Sequence, residues 1–271
     1  MPELPEVETT RRGLNPHMAG KRIDRVVVRN RRLRWPITRT LETQASGATI
    51  KQLERRGKYL LVECSSGWMI VHLGMSGRLR VVPGDTPPGK HDHFDIVMSS
   101  GMLVRFTDPR RFGALLWSRE HPSNHRLIRS LAPEPLEETF DAQWLHARTR
   151  GRSSPIKLVL MNNEIVTGVG NIYANEALFR AGINPRTKAA RLSMRRCGLL
   201  VAAVKETLKD AINAGGSSLR DFIGADGKPG YFQQQYAVYG RQGEPCVRCG
   251  STVRGIRLGQ RSTFYCTRCQ R

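Results

Sequence analysis

Four cysteines near the C-terminus, Cys246-x2-Cys249-x16-Cys266-x2-Cys269, constrain this chain more than any other feature. Each CxxC pair can fill two corners of a tetrahedron from one tight turn. Together the pairs match the spacing of a four-thiolate zinc site. The segment is too short for a hydrophobic core of its own, so one Zn2+ would clip its two turns together. Four thiolates leave no open position on the ion, and its role is structural. Arg241 to Arg271 holds seven arginines, no lysine and one acid, Glu244. Four thiolates and the ion add about −2, which leaves about +4 to face a phosphate backbone. The remaining two cysteines, Cys64 and Cys197, lie in apolar runs and read as buried thiols.

The basic bias extends to the whole chain. Its 44 Lys+Arg against 23 Asp+Glu give +21 over 271 residues. Such a charge repels itself unless an anionic partner neutralises it. Nucleic acid is the leading partner, an anionic membrane the rival, and a merely structural nucleic-acid binder a third reading. The N-terminus is acidic and lacks an apolar stretch, so it does not read as a signal peptide. The most apolar region, "YLLVECSSGWMIVHLGMSG", contains Glu63 and His72 and breaks at Gly67. It reads as strand, turn and strand rather than a membrane span. With 39% hydrophobic and 25% charged residues, the expectation is a soluble, cytoplasmic globular protein.

Residues 4–14 can form a short helix with Leu4, Val7, Arg11 and Leu14 near one face, limited by Gly13, Asn15 and Pro16. From about 22 to 118 the runs "RIDRVVVRN", "GKYLLVEC", "WMIVHLGM", "GRLRVV", "FDIVMS" and "LVRFTD" are β-like. "SSG" at 65–67 and again at 99–101 lies between two such runs and suggests hairpin turns. Six or more short strands imply a sandwich or barrel. "LAPEPLEETF" suggests a linker, after which the period becomes helical. Ser154 is expected to cap a helix with Pro155 first, and Asn171 to cap "IYANEALFRAG" after "TGVGN". Gly182 should end that helix, and Ser193 should cap a longer one through about Asn213. "GADGKPGYFQQQ" reads as a mobile loop.

The first residues hold a possible reactive centre. Removal of Met1 would expose the secondary amine of Pro2. A chain-terminal amine has a pKa of about 8, against about 10.4 for lysine, so more of it is neutral and nucleophilic near pH 7. Condensed with an aldehyde carbon it gives an iminium with no N–H to lose, a persistent electron sink. Glu3 stands next to it as a proton donor or acceptor. Most Met-Pro starts are ordinary chain ends, and the pair gains meaning only in combination.

That combination is present. "MPELPEVETTRRGL", "GKYLL", "HLGMSGRL", "KHDHFD", "TDPRRFG", "GVGNIYANEALF", "DGKPGYF" and "QRSTFYCTRCQR" together resemble the bacterial formamidopyrimidine-DNA glycosylase family, in order and from residue 2 to the last residue. The resemblance implies an α+β chain: an N-terminal β-sandwich with flanking helices, a helix–two-turns–helix domain and a C-terminal β-hairpin zinc finger. The corresponding boundaries are 1–134, a linker 135–151, 152–223, a mobile lesion-recognition loop 224–236, and 237–271. It also implies a monomeric base-excision-repair enzyme acting on damaged double-stranded DNA, which removes oxidised purines and cuts the strand by β,δ-elimination, with one structural Zn2+ and no membrane partner. By position Pro2 resembles the Schiff-base nucleophile and Glu3 the general acid. Lys58 resembles the proton donor in β-elimination, and Arg261 the finger arginine of δ-elimination. His91, Arg110, Arg152 and Asn171 fall at DNA-contacting positions. Met75, Arg110 and Phe112 match the trio that fills the hole left by a flipped base. Read without the family, Met75 and Phe112 would be core residues. Asn162 stands where the family commonly has aspartate, and Arg220 where it commonly has lysine. An endonuclease VIII-like enzyme for oxidised pyrimidines, which typically opens "PEGPE", and a non-catalytic zinc-finger DNA-binding protein remain as alternatives.

Overall fold

The structure, a computed structural model, describes residues 2–216 and 236–271. The expected loop at 224–236, apart from Tyr236, lies outside the described residues, as do Met1 and Arg220. The chain divides into two compact units, Met1–Ser130 with Ala214–Tyr231, and Leu131–Asn213 with Phe232–Arg271.

The first unit contains α1 (Leu4–Met18), β1 (Ile23–Val28), α2 (Thr40–Ala45) and seven further strands: β2 (Ile50–Arg56), β3 (Tyr59–Cys64), β4 (Gly67–His72), β5 (Arg78–Pro83), β6 (Asp92–Met98), β7 (Met102–Thr107) and β8 (Ala114–Ser118). They form two four-stranded antiparallel sheets, β1-β6-β7-β5 and β2-β3-β4-β8. One apolar core joins side chains from both sheets, among them Phe94, Ile96, Val104 and Phe106 with Leu60, Val62, Met69 and Leu115. Both "SSG" stretches are hairpin turns, β3 to β4 and β6 to β7.

Helix α1 runs beyond its expected end and carries Pro16 inside it. A proline in a helix interior is worth about 3 kcal/mol of destabilisation. The extra turn adds Met18 to the face that holds Leu4, Val7 and Leu14, and all four are buried. Burying Met18 contributes about 1.5–3 kcal/mol, which offsets most of the cost of the proline.

The second unit contains α3 (Ala142–Thr149), α4 (Ile156–Leu160), α5 (Asn171–Arg180), α6 (Met194–Asn213), β9 (Arg254–Leu258) and β10 (Arg261–Tyr265). Half of the stretch expected as a linker is α3. Asp141 caps it by accepting from the Trp144 N–H at 2.7 Å, and α3 packs on α6. Ser154 does not cap α4; Pro155 takes the cap position, because its fixed φ of −54° suits an extended entry. Ser193 does cap α6, its Oγ accepting from the Arg196 N–H. The stripe Cys197, Leu200, Val201, Val204, Leu208 and Ala211 is buried as the spacing demands. Gly182, with φ +69°, ends α5, where the Ile183 N–H bonds back to the Leu178 carbonyl.

Candidate functional site

Pro2 and Glu3 sit at the start of α1, and both are buried. Glu3 is 2% exposed and occupies the N-cap in an extended conformation. Its main-chain N–H donates to Glu6 Oε2 at 2.8 Å, and its carbonyl accepts from the Val7 N–H at 3.1 Å. The Glu3 carboxyl is therefore carried by a fixed backbone at the positive end of a helix. Glu6 is itself fully buried, and an added Cβ on Gly216 would come within 3.3 Å of its Oε1.

One turn further on, Glu8 ties α1 to the β2–β3 turn. Arg55 donates from Nε to Glu8 Oε2 (3.3 Å) and from Nη1 to the Gly57 carbonyl (3.1 Å), one residue before Lys58. Burial would push the Glu8 carboxyl up, but hydrogen bonds from Arg11 and Arg12 and the charges of Arg11 and Arg55 bring it down to about 2. Beyond the turn, burial and the charges of Lys58 and Arg34 push His72 down to about 4. Its Nδ1 accepts from the Gly74 N–H at 3.0 Å, so the ring is neutral with its proton on Nε2.

Met75 lies half-buried in the turn between β4 and β5, and Arg110 and Phe112 lie in the loop between β7 and β8. Gly74 has φ +68°, and a Cβ there would be 2.4 Å from the Phe112 carbonyl carbon, so the two loops are in backbone contact. Phe112 is not core: it is 43% exposed, with the Arg110 Cζ 5.1 Å from its ring centroid. An exposed aromatic ring under a guanidinium is a cation–π pair at the surface rather than core packing. The His91 carbonyl accepts from the Asp108 N–H at 3.0 Å, which brings His91 to the same cluster of loops.

The second unit holds the other site candidates. Arg152 is exposed and its Nε donates to the Arg148 carbonyl at 2.8 Å. Asn171 is not the N-cap of α5. Gly170 takes the extended cap conformation, and Asn171 is the first helical residue. Its Oδ1 is buried with no hydrogen-bond partner among the described residues. Arg261 is exposed at the head of β10, opposite Leu258 across the hairpin turn. That hairpin is anchored from inside. Lys157 is fully buried and donates to the Ser262 carbonyl (2.8 Å) and Thr263 Oγ1 (2.6 Å), while the Phe264 N–H donates to Asn175 Oδ1 (2.8 Å). Glu176 accepts from the backbone N–H groups of Ala237, Val238 and Tyr239 at 2.8–3.0 Å. Burial pushes its carboxyl up, and the three donors oppose that.

The four cysteines converge, with all Sγ atoms within 4.8 Å of one another. Cys246 and Cys269 are 3.9 Å apart at sulfur, and Cys249 and Cys266 3.5 Å. A zinc tetrahedron with bonds of about 2.3 Å has edges of about 3.8 Å, so the donor set fits one ion.

Family models match the chain along most of its length. They are the formamidopyrimidine-DNA glycosylase N-terminal domain over residues 1–115, the formamidopyrimidine-DNA glycosylase H2TH domain over 131–223, and the zinc finger found in FPG and IleRS over 243–271. The chain belongs to the formamidopyrimidine-DNA glycosylase family. It is 58% identical over 271 residues to the formamidopyrimidine-DNA glycosylase of Stutzerimonas stutzeri (strain A1501), covering 100% of both chains. Among solved structures it resembles the MutM (Fpg) protein of Thermus thermophilus (TM-score 0.89, 38% identity, 99% of this chain and 98% of that one). It also resembles Lactococcus lactis Fpg in complex with abasic-site DNA (TM-score 0.91, 34% identity, 99% of both).

Several organising residues were not singled out from sequence. Lys157 stands inside the apolar run "PIKLVL", and Asn175 and Glu176 lie in a helix whose residues Ile172 to Phe179 are all buried. A polar residue at a position the pattern marks as core is a usable signal. Asn162 accepts from the Glu164 N–H at 2.9 Å and closes the turn after α4. No helix among the described residues is long and apolar enough to cross a membrane.

Proposed function

We propose that Pro2 and Glu3 form the reactive centre of a base-excision-repair DNA glycosylase that removes oxidised purines from duplex DNA and then cuts the strand. The carrying observation is the buried Glu3 carboxyl, held at the N-cap of α1 directly after Pro2. A floppy chain end could not hold an acid against a reacting carbon in this way.

With Met1 removed, the Pro2 nitrogen attacks C1′ of the flipped nucleotide. The glycosidic bond breaks, and its electron pair leaves with the base. The proton shed by the Pro2 nitrogen goes to the departing base; the nitrogen lone pair then opens the sugar ring as Glu3 gives a proton to O4′, leaving an iminium between C1′ and Pro2. Loss of the C2′ proton expels the 3′ phosphate, and a second elimination expels the 5′ phosphate. Lys58 serves the first elimination and Arg261 the second. Met75, Arg110 and Phe112 fill the vacated stack, and His91, Arg152 and Asn171 hold the DNA backbone. Zinc bound to Cys246, Cys249, Cys266 and Cys269 would cross-link the turns that present β9 and β10, and it supplies no chemistry at the lesion. Acting on the chromosome, the enzyme would be cytoplasmic and held at the nucleoid by DNA.

Borohydride trapping tests this reading. The protein with a free Pro2 should form a covalent adduct with an abasic or 8-oxoguanine duplex, and no adduct would refute the Schiff base. A preference for thymine glycol over 8-oxoguanine would instead assign the chain to oxidised pyrimidines.

A further inference from the structure

We infer that Asp108 is a positioning residue that joins the Met75 turn and the Arg110–Phe112 loop into one rigid wedge; the inference rests on the base-replacing role proposed for those three side chains. Asp108 is 0% exposed and contacts no proposed reacting atom. Its Oδ1 accepts from Ser76 Oγ at 2.6 Å, next to Met75. The Arg110 N–H reaches both that oxygen (3.3 Å) and Ser76 Oγ (3.2 Å). Its Oδ2 accepts from the Gly113 N–H at 2.8 Å, next to Phe112. The backbone of Asp108 extends the junction. Its carbonyl accepts from His93 Nε2 (2.7 Å) and the Arg111 N–H (3.2 Å), and its N–H donates to the His91 carbonyl (3.0 Å).

The loop needs this hold. Arg111, between the two wedge residues, has φ +57°, one of only two left-handed non-glycine residues among those described. A β-carbon resists that conformation, so the turn would relax unless its ends were fixed. The Asp108 carboxylate fixes both ends, at Arg110 and at Gly113. Gly113 admits no side chain, since a Cβ would lie 2.4 Å from Phe106 and 3.1 Å from Asp108 Oδ2. Extrusion of a base from duplex DNA needs the wedge in place before the lesion reaches Pro2, whereas an abasic site in single-stranded DNA needs no wedge.

The test compares single-turnover excision of 8-oxoguanine from a duplex with borohydride trapping of a single-stranded abasic oligonucleotide. It uses zinc-loaded full-length Asp108→Ala, Asp108→Asn and Ser76→Ala. Asp108→Ala should lose about tenfold to 100-fold on the duplex, the scale of an ångström-level misplacement, and keep single-strand trapping within about twofold. Asp108→Asn retains one acceptor and Ser76→Ala removes one link, so both should fall between it and wild type. Should Asp108→Ala fail to fold, the other two variants decide. An unchanged duplex-to-single-strand ratio in Ser76→Ala and Asp108→Asn, or an equal loss on both substrates, overturns the inference. Met75→Ala and Phe112→Ala separate the two levels. If they lower the ratio while the Ser76 and Asp108 variants do not, only the role of Asp108 fails. If they leave the ratio unchanged, the wedge reading fails as well.

Discussion

Glu8→Gln should weaken the first unit and flatten its acid response. The Glu8 carboxylate receives two N–H groups of Arg11 (3.1 and 2.8 Å), one of Arg12 (2.8 Å) and one of Arg55 (3.3 Å). Against burial, these lower its carboxyl from 4.5 to about 2. A folded-state value below the unfolded one stabilises the fold above about pH 4.5 and loses that stabilisation as pH falls toward 2. The drop corresponds to about 3 kcal/mol at 1.36 kcal/mol per pH unit. Arg12 is 57% exposed, and solvent screening brings the expectation to about 1.5 kcal/mol. At pH 7 that is a loss of about 3–6 °C in Tm. Tryptophan fluorescence suits the assay, since Trp35, Trp68 and Trp117 all lie in this unit. Urea titrations at several values between pH 7 and pH 2 should show wild type converging on Glu8→Gln as the carboxylate protonates. A variant that matches wild type at pH 7, or that loses as much stability as wild type between pH 4.5 and 2, refutes the argument.

Chelation of zinc, or Cys249→Ala, should lower duplex affinity while the fluorescence-detected unfolding of the first unit stays unchanged; full affinity in the zinc-free protein would remove the finger from the DNA contact. Affinity should fall about 10³-fold between 50 and 200 mM salt if about six phosphates are contacted, and a flat log–log plot would contradict that. Burial, reinforced by the Glu63 charge, pushes the Cys64 thiol up to about 12. Native protein at pH 8 should therefore leave Cys64 unalkylated, and labelling without denaturant would refute the burial. His72 should show no proton uptake between pH 8 and 5 by NMR of its ring nitrogens, so an activity limb near pH 6.5 must come from another group.

The features legible in the sequence were those written in local chemistry. The CxxC spacing, the two "SSG" turns and the Ser193 cap each carry their meaning within a few residues. Strand β2 was missed because Ile50 and Leu53, its inward residues, are three apart, which is not a strand period. The structure explains this by an irregularity in register between Ile50 and Gln52, which puts both on one face. The length of α1 depended on a core partner for Met18 that no window around Pro16 can display. Phe112 was open to a core reading because an aromatic after two arginines looks the same whether it packs inward or stands out.

Four buried acids of this basic chain, Glu6, Asp92, Asp108 and Glu176, follow one logic. Among the described residues, Glu3, Glu6, Glu8, Asp92, Asp95, Asp108, Glu134 and Glu176 are buried, whereas Arg105 and Lys157 are the only buried cations. Carboxylates are thus drawn inside far more often than cations, and the surface is more positive than the net charge implies. Their partners show what they do there. Glu6 accepts from the Glu3 N–H, Asp92 from the Gly89 N–H, Asp108 from the Arg110 and Gly113 N–H groups, and Glu176 from three N–H groups ahead of the zinc module. Each fixes a segment that turns without a ladder of its own, where a lysine could not accept and an exposed acid would repel phosphate. Neutralising any of these by Asp→Asn or Glu→Gln therefore acts on the positioning of a loop, while removing a surface arginine acts on DNA affinity. The two classes should separate in a salt titration: the first leaves the slope of log Kd against log salt unchanged, and the second lowers it by about 0.9 for each phosphate no longer neutralised.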